Sequence, residues 1–165
     1  MIGEPHKRGL VRPEDLWGRG PLPQLSGVAL NLLRNKRNVS LDFKTAAGHA
    51  ALLDIAATCD VFVTNLRPGT LERAGIAYRD LSARRADIIY CQAHGYRSDS
   101  RRADDPAYDD VIQTETGIAD ATSRLTGRPM ISATIMADKV CGLTIVYAVT
   151  AALYRRAVTG LGEHI

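Results

Sequence analysis

The sequence predicts an α/β fold, with an open, mainly parallel, Rossmann-like sheet, flanking helices, and a long buried helix that starts near residue 138. Short β-branched and aromatic runs alternate with stretches of helical periodicity, and strand–helix–strand order implies parallel strands with a right-handed crossover. The run from Val140 to Tyr154 is almost entirely apolar, which is typical of a helix buried on all sides. The chain has 165 residues, 45% of them apolar, so it can bury one core.

The first elements follow from local patterns. Residues 1–27 contain prolines and glycines without a clear period, so we predict an extended or loop segment ahead of a domain over residues 28–165. Alternation of apolar and polar residues over 38–43 predicts a strand. Thr45 is placed to cap a helix whose apolar residues recur every three or four positions. The β-branched and aromatic run at 61–64 predicts a buried strand.

The pattern then repeats towards the C-terminus. Gly75 is placed to close a short helix, and the charged segment 94–105 predicts a surface loop. The other predicted elements are a helix at 70–74, a helical turn at 78–83, a strand at 87–92, a helix at 108–116 ended by Gly117, and a segment at 131–136 that leads into the long helix.

Composition narrows the function classes. A net charge of +3 is too small to indicate nucleic acid, although it suits an anionic small ligand. Three widely spaced cysteines without a CxxC motif, and four scattered histidines, predict reduced thiols and no metal site. The N-terminus has no signal-peptide core, and the longest apolar run is shorter than the ~20 residues of a membrane span. We therefore expect a cytoplasmic protein without a nucleic-acid or membrane partner.

Two loops carry cations that could bind an anionic ligand. The first places Arg34, Lys36 and Arg37 before a predicted strand, where they could grip phosphates; a solvated basic turn is the alternative. The second, Asn65-Leu66-Arg67-Pro68-Gly69, follows a predicted parallel strand, at the edge where open α/β sheets bind ligands. A plain strand-to-helix connection is the alternative there. Arg73 is expected near the same edge.

Two further residues could carry chemistry. Tyr108 could present its phenol to a substrate, or it could be a half-buried residue at a helix start. Asp138 lies at the mouth of the long helix, where it could be a covalent nucleophile or simply a helix cap. The sequence contains no GxGxxG after a strand, no P-loop and no GxSxG elbow, so nicotinamide, nucleotide-hydrolysing and serine-hydrolase sites are not supported.

Several motifs together resemble the family III CoA-transferases, which include formyl-CoA transferase, carnitine CoA-transferases of the CaiB/BaiF type and the α-methylacyl-CoA racemases. Residues 34–45, RNKRNVSLDFKT, resemble that family's RNKRSVxLDLKT, and residues 60–75, DVFVTNLRPGTLERAG, are similar to its ADVxVxNFRPGxLxRLG. The match continues in register through Pro106-Ala107-Tyr108-Asp109 and Ala137-Asp138 to Thr159-Gly160.

The resemblance implies an enzyme that transfers CoA between an acyl-CoA thioester and a carboxylic acid. Asp138 would form an aspartyl anhydride and then an aspartyl thioester, and the CoA thioester would be a substrate rather than a cofactor. Tyr108 would lie beside the acyl group; the racemases have histidine there, and a phenol is a poor base at neutral pH, so racemase is the less favoured branch. By position, the CoA site would consist of Lys36, Arg37, Asn65, Leu66, Arg67 and Arg73.

The resemblance also implies that this chain is partial. Family members are more than twice as long and continue into a small second domain, so residues 28–165 would be part of the large Rossmann-like domain alone. We expect a homodimer or a complementary second half as partner. A non-catalytic truncated homologue, or a CoA-binding module, is the alternative function.

Overall fold

A computed structural model describes residues 32–165, so the predicted loop over residues 1–27 lies outside the described part. The chain divides after Asp42 into two compact units, which are treated separately. In the first, residues 38–42 form no strand, so the strand predicted at 38–43 is wrong. Alternation defines two faces, but a strand also needs a hydrogen-bonded neighbour, and the described sheet is built from three other segments.

The second unit, residues 43–165, contains the α/β fold. Its three strands lie in the order β1-β2-β3 and both pairings are parallel, as the sequence predicts. The elements are, in chain order, α1 (Ala46–Ala57), β1 (Val61–Thr64), α2 (Pro68–Ala74), α3 (Tyr78–Ser82), β2 (Ile89–Gln92), α4 (Asp109–Glu115), α5 (Ile118–Thr126), α6 (Met136–Thr159) and β3 (Glu163–His164). The sequence patterns did not predict α5 or β3.

Helix boundaries follow the predicted local chemistry. The Thr45 hydroxyl oxygen accepts a hydrogen bond from the Gly48 N–H at 3.1 Å and caps α1. Gly75 closes α2 with a φ of 62°, in the left-handed region that glycine enters without a Cβ clash. Both boundary predictions are confirmed.

The core lies where α1, α2 and α3 cover the central strand β2. Its most buried side chains include Leu71, Ile88 and Tyr90, each at most 2% exposed. The Tyr90 ring stacks on Phe62 with the ring centroids 5.3 Å apart, and its hydroxyl donates a hydrogen bond to the Ile76 carbonyl at 2.9 Å. Tyr90 therefore fixes the segment between α2 and α3 to the sheet.

Replacing Tyr90 by Phe is expected to lower the free energy of unfolding by about 1–3 kcal/mol, because the Ile76 carbonyl loses its buried donor. Burial, with smaller effects from Asp80 and Glu72, raises the pKa of Tyr90 to about 12. Because the pKa of Tyr90 is higher in the folded than in the unfolded protein, its contribution to the free energy of unfolding is complete below the unfolded pKa of 10.0. That contribution is lost as the pH rises through about 12. Urea unfolding across that range should give a shallower alkaline decline for Tyr90→Phe than for wild type. Tyr154→Phe, at a position that is 75% exposed, is the matched control and should behave as wild type.

The helix α6 is long, as predicted, but its predicted burial is wrong. Ala152 alone among its residues is buried, whereas Leu143, Tyr147 and Val158 are each more than half exposed. Within residues 43–165, α6 packs against α4 and β2, which leaves most of its apolar surface uncovered. In the described part of the chain, α6 is also the one helix whose length and composition would allow it to cross a membrane.

The C-terminal part of α6 is held to the sheet by an arginine. The Arg156 guanidinium donates to the Asp60 carboxylate at 3.0 Å and to the Asp87 carbonyl at 3.3 Å, at the segments that lead into β1 and β2. Arg85 joins the same network through Asp60 and Asp87. Hydrogen bonds from Arg156 and Arg85 lower the pKa of Asp60, so this network holds its charged form. The opposite end of α6 is thereby directed to the far edge of the sheet.

Candidate active site

A cavity of about 370 Å³ lies at the carboxyl ends of β1 and β2. Parallel strands end at one edge of a sheet, so the residues after each strand meet there. Asn65 and Arg67 follow β1, His94 follows β2, and Tyr108 and Asp138 come from the starts of α4 and α6; all five line the cavity. The structure therefore brings together four residues that the sequence singled out and one that it did not.

A close approach between two loops shapes one wall of this cavity. A Cβ atom added to Gly95 would lie 1.9 Å from the Ala107 Cβ, so only glycine allows the loop after β2 to meet the segment before α4. Tyr108 follows directly and its side chain is 71% exposed. The phenol is thus at the open side of the cavity rather than half buried in the core.

Asp138 lies in the first turn of α6, and it is not the helix cap. The N-cap residue is Ile135, which makes no side-chain capping bond. The Asp138 carboxylate is exposed and, within residues 32–165, makes no hydrogen bond or ion pair. The alternative role of Asp138 as a cap is therefore wrong, and its carboxylate is available to a ligand beside the positive end of a helix.

Asp109 satisfies the N-terminus of α6 instead. Its carboxylate accepts a hydrogen bond from the Asp138 N–H at 3.1 Å. Gln113, which is fully buried, donates to Asp109, donates to the Thr134 carbonyl at 3.2 Å, and accepts from the Ser132 N–H at 2.7 Å. One buried amide thus joins α4, the loop before α6 and the residue that caps α6. Asp109 and Gln113 are positioning residues for Asp138.

Replacing Asp109 by Ala is expected to loosen the first turn of α6. Burial alone would raise the pKa of Asp109, but hydrogen bonds from Gln113 and from the N–H groups of Asp138 and Ala137 bring it below the ordinary value of 3.8. The cap therefore contributes to the free energy of unfolding above pH 3.8, where the Asp109 carboxylate is ionised. This contribution is lost as the pH falls through the lowered pKa of Asp109. Hydrogen exchange of the Asp138 amide should become about 5- to 10-fold faster in Asp109→Ala at neutral pH. Asp110→Ala, the neighbour that makes no bond to α6, is the control; equal exchange in the two variants would contradict the capping role.

The other predicted CoA-site residues are Arg73 and Leu66 in the second unit, and Lys36 and Arg37 in the first. Arg73 lines a second cavity of about 720 Å³, with Thr70 and His49. Leu66 packs against the core and is not among the residues lining the Asp138 cavity. Lys36 and Arg37 belong to the first unit, where the Lys36 ammonium donates to the Leu32 carbonyl. Their assignment to a CoA site stays a prediction.

Sequence patterns assigned no role in the site to His94, Asp109 or Gln113. His94 had a signal in the sequence, because polar residues that follow parallel strands meet at one edge of the sheet. His94 stands two residues after β2, and Asn65 stands directly after β1. No local signal exists for the bonds that join Asp109 to Asp138 and Gln113 to Thr134, because these partners lie 29 and 21 residues away along the chain. Among residues 32–165, no group of three or more His, Cys, Asp or Glu side chains is arranged to hold a metal ion.

Comparison with known proteins identifies relatives of this chain. The family model described as CoA-transferase family III matches residues 11–165. A succinyl-CoA:glutarate CoA-transferase from Homo sapiens is 32% identical over 149 residues, which cover 90% of this chain and 34% of that protein. A formyl-CoA:oxalate CoA-transferase from Rhodopseudomonas palustris is 30% identical, over 87% of this chain and 34% of that protein.

A solved structure shows the same fold. The crystal structure of a CaiB/BaiF family protein from Brucella suis superposes with a TM-score of 0.75 at 35% identity, covering 79% of this chain and 34% of that chain. The chain spans about a third of the length of the curated relatives it matches. The family match extends over nearly all of the sequence, so this chain belongs to CoA-transferase family III.

Proposed function

We propose that this chain carries the nucleophile and part of the CoA site of an enzyme that transfers CoA between an acyl-CoA thioester and a carboxylic acid. The observation that carries this proposal is the cavity in which the Asp138 carboxylate, unpaired within residues 32–165, faces the same space as Asn65 and Arg67. Family membership supports CoA transfer in general. The acyl-CoA is the substrate, and the proposal includes no separate cofactor.

The first half-reaction loads CoA onto Asp138. A carboxylate oxygen of Asp138 attacks the carbonyl carbon of the donor thioester, the C–S bond breaks, and CoA leaves as a thiolate. The thiolate then attacks the aspartyl carbonyl of the resulting mixed anhydride. The donor acid departs as a carboxylate, and Asp138 is left as an aspartyl-CoA thioester.

The second half-reaction passes CoA to the acceptor. The acceptor carboxylate attacks the aspartyl thioester, which releases CoA thiolate and forms a new anhydride. The thiolate attacks the acceptor's carbonyl, forms the product thioester and restores the Asp138 carboxylate. The N-terminal end of α6 stabilises the Asp138 carboxylate and the oxyanions that form when its carbonyl carbon is attacked, and Arg67 supplies a cation for the anionic substrates.

We propose a dicarboxylic acid as one of the two acids. Relatives that match this chain carry names that pair CoA donors with glutarate or oxalate. The cavity wall supports this choice, because Arg67 and His94 are available beside Asp138 for a second carboxylate.

A CoA-binding module without turnover is the second candidate. The exposed apolar surface of α6 supports it, since a transferase must exclude water from its anhydride. A second copy of the chain, or a complementary polypeptide, covering that surface would favour the transferase instead. Both candidates predict CoA binding, and only the transferase predicts a covalent Asp138 intermediate.

The test is to trap that intermediate. We expect incubation with succinyl-CoA, followed by hydroxylamine, to convert Asp138 into its hydroxamate, which peptide mass spectrometry would locate. Binding of succinyl-CoA without any modification of Asp138 would overturn the transferase proposal and leave the binding module. Modification that appears only after a second polypeptide is added would assign the activity to the complex.

Occupancy of the cavity can be measured through Cys141. Cys141 is exposed and lines the cavity, whereas Cys91 is buried, and burial raises the pKa of the Cys91 thiol. A non-reactive thioether analogue of acetyl-CoA, at ten times its Kd, is expected to slow alkylation of Cys141 by iodoacetamide about tenfold. Cys59, which is half-buried and outside this cavity, is the internal control. An unchanged Cys141 rate at saturating analogue would contradict the predicted site.

A further inference from the structure

His94 lines the cavity but takes no part in the covalent steps proposed above. It stands two positions after the end of β2 and lines the cavity that contains Asp138. It also lines an adjoining cavity of about 530 Å³, together with Gln92 and Tyr96. His94 is therefore in contact with the space on both sides of the loop that follows the central strand.

Both ring nitrogens of His94 are buried and lack a hydrogen-bond partner within the described residues. A neutral imidazole has one donor and one acceptor, and an imidazolium has two donors, so either form leaves buried polar groups unpaired. Buried polar side chains are nearly always hydrogen-bonded, because an unpaired group loses its hydration without compensation. A ligand that enters the cavity can supply the partner that this ring lacks.

The charges around the cavity indicate which ligand group this is. Arg67 is the cation of the lining, and Asp105, Asp109 and Asp138 are its acids. Asp109 is engaged by Gln113 and the α6 backbone, and the Asp138 side chain becomes neutral once it is joined to an acyl group as the anhydride or to CoA as the thioester. At that stage a carboxylate entering the cavity meets Arg67 and the free N–H of His94.

We propose that His94 is a specificity-determining residue that donates a hydrogen bond to the distal carboxylate of a dicarboxylic acyl group bound at Asp138. This inference rests on the proposed function for the identity of the acyl site. It goes further by naming the group that distinguishes a dicarboxylic acyl chain from an apolar chain of the same length.

The experiment compares succinyl-CoA with butyryl-CoA, in which a methyl group replaces the distal carboxylate. Binding is measured by calorimetry on the full 165-residue chain carrying Asp138→Asn, which prevents acyl transfer. Adding His94→Leu is expected to weaken succinyl-CoA binding about tenfold and to leave butyryl-CoA binding within about twofold. Adding His94→Gln, which retains a donor, should recover part of the loss.

A second measurement does not depend on how the variants fold. In the chain with an intact His94 and ¹⁵N-labelled histidine rings, succinyl-CoA should shift the His94 ring signals and butyryl-CoA should not. Equal losses for both ligands, no loss for either, or ring signals unmoved by saturating succinyl-CoA would each overturn the role of His94. If the ring responds to succinyl-CoA while wild-type Asp138 is never trapped, the covalent mechanism fails and the recognition role stands.

Discussion

Asp138→Asn is expected to abolish hydroxylamine trapping and to reduce CoA-transfer activity at least about a thousandfold, because an amide cannot form the anhydride. The substitution keeps the size and shape of the side chain. Since the Asp138 carboxylate makes no bond within residues 32–165, we expect the free energy of unfolding to change by less than about 0.5 kcal/mol. Binding of the thioether CoA analogue should persist, which would separate loss of chemistry from loss of the site.

Asp110→Asn is the matched control for this prediction. Asp110 is another acid in the first turn of a helix, α4, and it does not line the Asp138 cavity. Trapping in Asp110→Asn should equal that in wild type. Hydroxamate that forms in Asp138→Asn at the wild-type rate would show that another carboxylate is the nucleophile.

Gly162→Ala is expected to destabilise the second unit by about 1–3 kcal/mol or more. An added Cβ would lie 2.6 Å from both the Ala86 and the Ile88 carbonyl oxygens, which are backbone atoms that cannot rotate away. The chain can only avoid this clash by moving β3 away from β2. That movement would break the hydrogen bonds from the Glu163 N–H to the Ile88 carbonyl and from the Ile165 N–H to the Tyr90 carbonyl.

Gly142→Ala provides the comparison for this stability measurement. Gly142 lies inside α6, and an added Cβ there meets no atom within 4 Å. Alanine is the better helix former, so Gly142→Ala should raise the free energy of unfolding by about 0.5–1 kcal/mol. Urea unfolding of both variants gives the contrast, and a Gly162→Ala chain as stable as wild type would disprove the requirement for close approach.

Elements with strong local signals were predictable. The caps at Thr45 and Gly75, the strands β1 and β2 and the existence of α6 all have residues whose chemistry acts within a few positions. The two-residue strand β3 has no such signal, since Glu163 and His164 are polar and form a strand only because β2 offers a parallel neighbour. The strand predicted at 38–43 is the converse case, because its alternating pattern has no hydrogen-bonded neighbouring strand among residues 32–165.

The candidate site was predictable where it depends on sheet topology. Asn65 and Arg67 were expected at the carboxyl edge of a parallel strand, and Tyr108 and Asp138 at helix starts, and all four line one cavity. Sequence patterns assigned no role to His94, Asp109 or Gln113. Their roles depend on burial and on contacts with residues distant in sequence, which only the folded structure shows. The Asp109 carboxylate lies at the start of α4 but accepts a hydrogen bond from the first turn of α6. The sequence alone does not show which of the two helices such a carboxylate caps.

The parallel α/β order, the turn positions and the carboxylate at the start of α6 follow from the sequence, because propensity, capping and glycine conformations act locally. Only the three-dimensional fold shows that Asp109 caps α6, because this bond joins residues 29 positions apart, and that the Asp138 carboxylate is left without a partner within residues 32–165. It also decided that the apolar surface of α6 is exposed within residues 32–165. Apolar periodicity shows that a helix has surface to bury, whereas burial depends on which other elements the fold brings against it.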